Sequence, residues 1–300
     1  MKSGFVSLVG RPNAGKSTLL NRLVGEKLAI VSDKPQTTRT RILGVRTYRD
    51  AQVVFLDTPG IHRPLHRMNV RMVDTAVRAM HGVNLVGLVV DATEPPGKGD
   101  AFVLELVRTS SAPVLLLLNK VDLVRKPRLL PMIDRSRTLG AFVEIIPLSA
   151  ATGENVDRLE RVIIDRLLEG EPLYPADYLT DQPERVLAAE MVREQVLGLT
   201  RAEIPFASAV VIDRFEEAAA SRSGSLLKIY ASILVDRESQ KPIVVGKGGE
   251  MIKQIGTAAR RELERFFAAR VFLDLRVRVK EAWREDDRIL AELGLAPRDT

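Results

Sequence analysis

Residues 10–18 read GRPNAGKST and match the phosphate-binding pattern G-x-x-x-x-G-K-[ST]. An apolar run at 5–9 before the motif predicts a strand, and the segment STLLNRLV at 17–24 predicts the first turns of a helix. Glycines let this loop curl around an anion, and amides at the start of the helix point at the phosphates. A glycine-rich turn that binds nothing would not need this strand–loop–helix order. The sequence therefore predicts an α/β domain that binds a nucleoside triphosphate.

The side chains of this loop have separate predicted roles. Lys16 supplies a positive charge to the β- and γ-phosphates, which makes it a predicted catalytic residue, and the Ser17 hydroxyl is a predicted ligand of Mg²⁺. The residues predicted to bind the nucleotide here are Asn13, Ala14, Gly15, Lys16, Ser17 and Thr18.

A second motif is predicted to read the base. The apolar run 114–118 predicts a buried parallel strand, and it ends in Asn119, Lys120 and Asp122 of the pattern N-K-x-D. A buried Asp122 carboxylate can accept hydrogen bonds from N1 and the 2-amino group of guanine. Adenine would leave it unpaired, at a cost of about 1–3 kcal/mol. The motif alone is common in polar loops, but about 100 residues after a phosphate-binding loop it predicts a preference for GTP over ATP.

Another segment is expected to touch the guanine oxygen. Ser149 and Ala150 follow the predicted strand 142–147, and one of their backbone amides is expected to donate to that oxygen. The predicted nucleotide contacts outside the phosphate-binding loop are Asp57, Gly60, Asn119, Lys120, Asp122, Ser149 and Ala150.

Two polar segments are predicted to sense the γ-phosphate. In the segment DTPG, Asp57 is expected to hold Mg²⁺, generally through water, and the Gly60 amide is expected to meet the γ-phosphate. In the upstream loop QTTRTR, a threonine can reach Mg²⁺ only when the γ-phosphate is present; Thr38 is the choice, with Thr37 and Thr40 as alternatives. Both segments are therefore predicted switches that a triphosphate orders and hydrolysis releases, and Thr38 and Gly60 join Lys16 as predicted catalytic residues.

The chain is predicted to contain two domains. A helix at 156–168 closes a first domain at residues 1–170, and the proline-containing segment 171–183 predicts a linker. A second domain at residues 184–300 opens with a helix at 184–199, for which Thr180 and Asp181 are cap candidates.

Beyond that helix the pattern predicts strand, strand, helix, helix and strand. The strands are expected at 206–213, 226–235 and 271–279, with a polar turn at 216–224 between the first two. Residues 246–249 (GKGG) join the two helices and match G-x-x-G, a pattern that is weak alone but is typical of a KH domain in this order. Such a loop clamps about four nucleotides of a single strand. The residues predicted to bind RNA are Ile243, Gly246, Lys247, Gly248, Gly249, Ile252 and Lys253.

The charge distribution supports this prediction. Residues 241–280 contain ten Lys or Arg and four Asp or Glu, a surplus of six that equals the net charge of +6 for the whole chain. A basic surplus confined to one small domain indicates a nucleic-acid surface. A solvated charged helix is the alternative, because Arg260, Arg261 and Arg265 cannot all face one groove.

These motifs together resemble the Era family, bacterial GTPases of the translation-factor class with an appended KH domain. The resemblance rests on GRPNAGKST, QTTRTR, DTPG, NKVD, the SA pair and the G-x-x-G region, and it covers nearly the whole chain. It implies binding to the 3′ end of small-subunit ribosomal RNA during assembly of the small ribosomal subunit. It also implies loose peripheral contact with the inner face of the membrane.

The residue at one position bears on the rate of hydrolysis. Ile61 follows the DTPG glycine, where Ras-type GTPases carry the glutamine that orients the attacking water. Isoleucine forms no side-chain hydrogen bond, so we expect slow intrinsic hydrolysis, unless Ile61 simply packs without bearing on the rate. The resemblance adds that several related GTPases use the asparagine at the position of Asn13 as a potassium ligand, which suggests K⁺ as a cofactor beside GTP/GDP and Mg²⁺.

Composition excludes several other kinds of site. The chain has no cysteine, which excludes a thiol nucleophile or a zinc–cysteine site, and its three histidines do not form a metal-binding set. His62 and His66 are read as solvated loop residues, and Trp283 as packing the C-terminal tail onto its domain. No signal peptide or membrane span is expected, so the predicted location is cytosolic.

The predicted protein is a monomeric α/β P-loop GTPase domain with a mostly parallel sheet, followed by a small α+β KH domain of the prokaryotic arrangement. GTP is expected to gate its binding to single-stranded RNA. Two alternatives remain open from the residues alone. The second domain could bind a protein or an anionic membrane, or the chain could be a GTP-dependent RNA-modifying enzyme, for which no further catalytic constellation is visible.

Overall fold

The computed structural model describes residues 1–34, 36–62, 67–95, 97–221 and 224–295, with side chains omitted at 218–221 and 224–225. The described chain forms two compact units: the first ends at Asp181, and the second consists mainly of the residues from Gln182 onward. Most of the segment predicted as a linker therefore groups with the first unit.

The first unit is a sheet with helices packed on it. The order of the six main strands is β2-β3-β1-β4-β5-β6; β2 runs antiparallel to β3, the other pairs on this path are parallel, and β7 pairs antiparallel with β1. The strands are β1 (Lys2–Gly10), β2 (Ile42–Thr47), β3 (Ala51–Asp57), β4 (Leu85–Asp91), β5 (Val114–Asn119), β6 (Glu144–Pro147) and β7 (Leu168–Glu169). The helices are α1 (Lys16–Val24), α2 (Arg67–Arg78), α3 (Lys98–Val107), α4 (Leu129–Arg137) and α5 (Val156–Arg166). This confirms the predicted mostly parallel sheet.

The apolar runs of the sequence become the buried strands. Every residue of β3 is buried, and β5 is buried from Leu115 to Asn119. Strands covered on both faces read as continuous Val, Ile and Leu runs rather than as alternating patterns. Because β1, β3, β4 and β5 are parallel, their carboxyl ends meet at one edge of the sheet, and the polar motifs follow there.

The second unit is a three-stranded sheet with order β10-β9-β8, in which β8 and β9 are antiparallel and β9 and β10 are parallel. Its elements are α6 (Glu184–Leu199), α7 (Ile204–Ala207), β8 (Ser208–Ser221), β9 (Gly224–Val235), α8 (Lys241–Val245), α9 (Glu250–Phe267), β10 (Arg270–Val279) and α10 (Asp287–Glu292). Its buried core draws residues from α6, α8, α9 and the three strands. The order is that of the predicted KH domain with α7 added.

Two local predictions in the second unit were wrong. The segment predicted as a polar turn at 216–224 is mostly strand, because β8 continues to Ser221 and β9 already begins at Gly224. Glu216 lies opposite Lys228 across the two strands, a pair of opposite charges that is compatible with a solvated sheet edge. The strand predicted from 206 begins two residues later, after α7.

The cap predicted for α6 was also wrong. Pro183 occupies the N-cap of α6, and no side chain caps that helix. The Thr180 hydroxyl instead donates to the Leu43 carbonyl, 2.6 Å away, and Asp181 pairs with Arg41.

The tail packs as predicted. Trp283 is fully buried, and its indole N–H donates to the Ala207 carbonyl at 2.9 Å. Across the described ranges, no helix is long and apolar enough to cross a membrane.

Candidate nucleotide site and nucleic-acid interface

The phosphate-binding loop joins β1 to α1 as predicted. Gly15 sits at the N-cap of α1 with φ +93°, and a Cβ there would lie 2.2 Å from Asn119 Nδ2. No L side chain fits such a contact without a shift in the neighbouring loop, so glycine is required for both conformation and space. Asn13 also has a positive φ, of 62°. The loop backbone is therefore curled in the way an anion site needs.

Lys16 is buried beneath this loop. Its Nζ donates to the carbonyl oxygens of Gly10 (3.2 Å) and Arg11 (2.9 Å). Burial lowers the pKa of Lys16 to about 8, against the opposing attraction of Asp57. These carbonyls hold the ammonium in the loop, where the resemblance places the β- and γ-phosphates.

Three oxygen-bearing side chains converge beside the loop. The Ser17 hydroxyl donates to Asp57 Oδ2 at 2.7 Å and lies 2.7 Å from the Thr38 hydroxyl, which is 3.4 Å from the same Oδ2. Burial raises the pKa of Asp57 to about 6, with Lys16 opposing. In the described part of the chain, the other carboxylate oxygen, Oδ1, is buried without a hydrogen-bond partner. Hydroxyl and carboxylate oxygens suit Mg²⁺, so this donor set fits the predicted metal.

Asn119 joins two loops rather than pointing freely at a base. Its amide nitrogen donates to the Ala14 carbonyl at 2.8 Å, and its oxygen accepts from the Ala150 amide at 2.9 Å. The Ser149 amide donates to the Glu154 carbonyl at 3.0 Å. Both amides expected to meet the guanine oxygen are thus already bonded within the protein. Either amide could donate to the guanine oxygen only by sharing its hydrogen between that oxygen and its present acceptor.

Lys120 and Asp122 are held differently from what the sequence suggested. Lys120 has φ +65°, and its Nζ lies 2.5 Å from Asp91 Oδ2 at the end of β4. Asp122 is exposed, so the energetic argument for guanine applies only when the base itself covers that carboxylate.

Asp91 is a residue that the sequence reasoning missed. Its Oδ1 accepts hydrogen bonds from the amide and hydroxyl of Thr93, and Oδ2 accepts from Lys120. Burial opposes ionisation, but the Lys120 ammonium and Thr93 bonds hold the pKa of Asp91 below its usual value. The available signal was its place after the apolar run 85–90, at the same sheet edge as the N-K-x-D motif.

His62 lies in a loop, as predicted, but it is only partly solvated. It is half-buried, its Nδ1 lies 3.1 Å from the Gly60 carbonyl oxygen, and its Nε2 lies 3.4 Å from Gln36 Nε2. It therefore links the two predicted switches. His66 lies outside the described residues.

Ile61 is fully buried in a cluster that includes Val9, Met80 and Leu88, and its amide donates to the Gly10 carbonyl at 3.0 Å. The side chain at this position therefore packs in the core.

The G-x-x-G turn in the second unit lies between α8 and α9. Gly246 has φ +75°, and a Cβ there would lie 2.7 Å from both the backbone nitrogen and Cβ of Met251. Gly248 and Gly249 also have positive φ, but nothing lies within 4 Å of where their Cβ atoms would be. The turn is therefore closely packed at Gly246 and open at Gly248 and Gly249.

The side chains around this turn combine apolar and basic surface. Ile243 is 47% exposed, Ile252 is half-buried, and Lys247 and Lys253 are exposed. An exposed isoleucine beside lysines and open glycines suits a single strand, whose phosphates approach the backbone and whose bases meet apolar surface. The structure brings the predicted RNA-binding residues together on and beside one turn.

Comparisons with known proteins match both units. Residues 5–120 match the family described as 50S ribosome-binding GTPase, and residues 203–284 match the KH domain. Fold and site therefore define a P-loop GTPase joined to a KH domain.

The chain belongs to the Era family of GTPases. It is 48% identical over 293 residues to GTPase Era of Geobacter metallireducens, covering 98% of this chain and 97% of that protein. It is 49% identical over 293 residues to GTPase Era of Syntrophus aciditrophicus, covering 98% and 95%.

Solved structures agree with this assignment. A crystal structure of Era in complex with MgGDPNP and nucleotides 1506–1542 of 16S ribosomal RNA superposes with a TM-score of 0.94 at 40% identity, covering 99% of this chain and 100% of that one. A structure of a variant of Aquifex aeolicus Era bound to GDP and AlF4⁻ gives the same values. The chain is thus a GTPase that binds GTP and GDP.

Proposed function

We propose that this protein is a GTP-gated RNA-binding switch that binds the 3′ end of small-subunit ribosomal RNA and acts in assembly of the small ribosomal subunit. The observation that carries this proposal is the full-length likeness to an Era structure holding nucleotides 1506–1542 of 16S ribosomal RNA. The open G-x-x-G turn, with its exposed lysines and Ile243, supports single-stranded RNA as the ligand.

The predicted site residues would contact different parts of the bound nucleotide and its metal ion. Ser17, Thr38 and Asp57 would hold Mg²⁺, which when bound neutralises charge on the β- and γ-phosphates. Lys16 adds a second positive charge from beneath the loop, and the Gly60 amide meets the γ-phosphate. Thr38 and Gly60 lie in separate loops, and both loops are held by the γ-phosphate. Loss of the γ-phosphate therefore releases both.

Intrinsic hydrolysis is proposed to be slow. The position of the water-orienting glutamine of Ras-type enzymes is held by Ile61, whose side chain is buried and has no polar atom. A positive charge must then come from elsewhere, and K⁺ near Asn13 is the proposed source. GTP turnover measured in K⁺ and in Na⁺ at equal ionic strength tests this; equal rates would exclude a role for K⁺.

We place the protein in the cytoplasm as a monomer, with peripheral contact at the inner face of the membrane. Membership of the Era family is the basis for this placement.

The decisive experiment measures binding of the full-length protein to a short single strand matching the 3′ end of small-subunit rRNA, with a scrambled strand as control. Each is titrated with GDP and with a non-hydrolysable GTP analogue. Binding that depends on both sequence and nucleotide is expected. Weak binding that depends on neither the RNA sequence nor the bound nucleotide would contradict the proposal.

A further inference from the structure

The segment predicted as a linker is packed along the sheet of the first unit. We call residues 173–181 the strap. Gln52 on β3 is fully buried and holds the N-terminal end of the strap: its Oε1 accepts from the amides of Leu173 (2.7 Å) and Tyr174 (2.9 Å), and its Nε2 donates to the Tyr174 carbonyl (2.9 Å). Three hydrogen bonds to one buried amide make this end a firm anchor.

The middle of the strap covers apolar surface. Tyr174 and Tyr178 stack with ring centroids 4.7 Å apart. Both rings pack against a buried cluster from β2, β3 and the residues after α2, made of Leu43, Val45, Val54, Leu56 and Ala79. The strap is therefore part of the core of this unit rather than a solvated tether.

The C-terminal end of the strap is bound to β2. The Val45 amide donates to the Leu179 carbonyl at 2.9 Å, the Thr180 hydroxyl donates to the Leu43 carbonyl at 2.6 Å, and the Arg41 guanidinium donates to Asp181 at 2.9 Å. Because β2 is the outer strand of its sheet, its backbone groups on that side would otherwise face solvent. The strap satisfies two of them, the Val45 amide and the Leu43 carbonyl.

The partners of this end of the strap lie close in sequence to the nucleotide site, and this end itself lies close in sequence to the KH unit. Arg41 is three residues after Thr38, whose hydroxyl contacts Ser17 and Asp57. At the other end, α6 begins at Glu184, three residues after Asp181. One short stretch of β2 thus connects the switch loop to the first residues before the KH unit.

We propose that the strap transmits the nucleotide state to the KH unit. When a triphosphate holds Thr38, the start of β2 stays ordered and keeps Leu179, Thr180 and Asp181 docked. When hydrolysis releases the loop, these three residues detach from β2 while the Gln52 anchor holds, and the connection to α6 is freed. This inference rests on the proposed function, because it assumes that RNA binding responds to the nucleotide.

Hydrogen exchange tests the strap without RNA. With GDP, the Val45 amide is expected to exchange roughly tenfold faster than with a non-hydrolysable GTP analogue, because its acceptor on Leu179 is lost in the detached state. The amides of Leu173 and Tyr174 should change little, since Gln52 holds them in both states. Equal exchange at Val45 with the two nucleotides, or equal acceleration at both ends of the strap, would overturn the proposal.

A variant tests the consequence for RNA. Thr180→Val combined with Asp181→Asn removes the hydroxyl and ionic contacts to β2 but leaves the Gln52 anchor. Tyr48→Phe is the matched control, because it deletes one hydrogen bond from the same edge of the sheet, to Glu160 on α5 (2.8 Å), away from the strap. GTP affinity should be unchanged in both.

The measured quantity is the ratio of RNA affinities with the GTP analogue and with GDP. The strap variant should bring this ratio close to one, while Tyr48→Phe keeps the wild-type ratio. An unchanged ratio in the strap variant would overturn the role of the strap. A ratio of one in the wild-type protein would instead overturn the proposed gating, and hydrogen exchange would then decide whether the strap responds to nucleotide at all.

Discussion

The nucleotide site and the G-x-x-G turn both place glycines beside a lysine, but the surrounding structure holds them in opposite ways. Lys16 is buried and bonded to two carbonyl oxygens, whereas Lys247 is exposed. A Cβ on Gly15 would collide with Asn119, whereas a Cβ on Gly248 would meet nothing within 4 Å. The first site is built into the core and suits one small ligand. The second is an open surface that suits a long flexible one.

The comparison predicts its largest effect at the buried lysine. Lys16→Ala should lower GTP affinity by about 10–150-fold, because charge-assisted hydrogen bonds to phosphate contribute about 1.5–3 kcal/mol. Titration with a fluorescent GTP analogue measures it. Lys98→Ala, which removes an exposed lysine at the start of α3, is the control and should bind normally. Normal GTP binding and hydrolysis by the Lys16 variant would refute the site assignment.

At the open turn, Gly248→Asp should weaken RNA binding by about tenfold, since a carboxylate would face phosphates at a positive φ. Gly82→Asp is a matched control: Gly82 also has a positive φ (+71°) with nothing within 4 Å of its Cβ position, but it lies in the first unit. Both variants add the same charge at a glycine of positive φ. A difference between their RNA affinities can therefore be attributed to the G-x-x-G turn. Equal affinities would count against the groove.

Ile61 tests whether the core around the nucleotide site tolerates a polar side chain. Ile61→Gln should destabilise the protein by about 1–3 kcal/mol, because it buries an amide among apolar residues. It should not accelerate GTP turnover, since that side chain points into the core. Thermal unfolding and single-turnover hydrolysis measure the two effects, with Ile61→Val as the volume control. A faster rate in the Gln variant would show that the side chain reaches the attacking water.

The smallest effect is expected at Asp91. Asp91→Asn should reduce GDP affinity by about fivefold, equivalent to roughly 1 kcal/mol, because Lys120 loses its ionic partner. Asp134→Asn, which breaks an exposed pair with Arg137, is the control. The folded-state pKa of Asp91 lies below its usual 3.8, so the pair should persist as pH falls and be lost only below that value. GDP titrations at pH 7 and pH 5 should show the same difference between wild type and variant.

Local patterns were enough to predict the elements that are long and apolar. The runs that became β3 and β5 are buried on both faces, and the helix over 184–199 has the predicted bounds. Patterns failed where a polar segment is stabilised by partners outside its own stretch of chain. Residues 216–221 of the expected turn are strand, because residues such as Glu216 pair with β9. The cap expected from Thr180 and Asp181 is instead bonded to β2, about 140 residues earlier.

By itself, the sequence determined the class of fold, the nucleotide and the positions of the two glycine-containing turns, because glycine spacing and the residues at strand ends are local chemical requirements. Only the tertiary structure decided that Asp91 holds Lys120, that Asn119 clamps two loops, and that the presumed linker is a strap on β2. These features join residues 29 to 140 positions apart. Contacts at such separations arise from packing, which no local pattern of residues encodes.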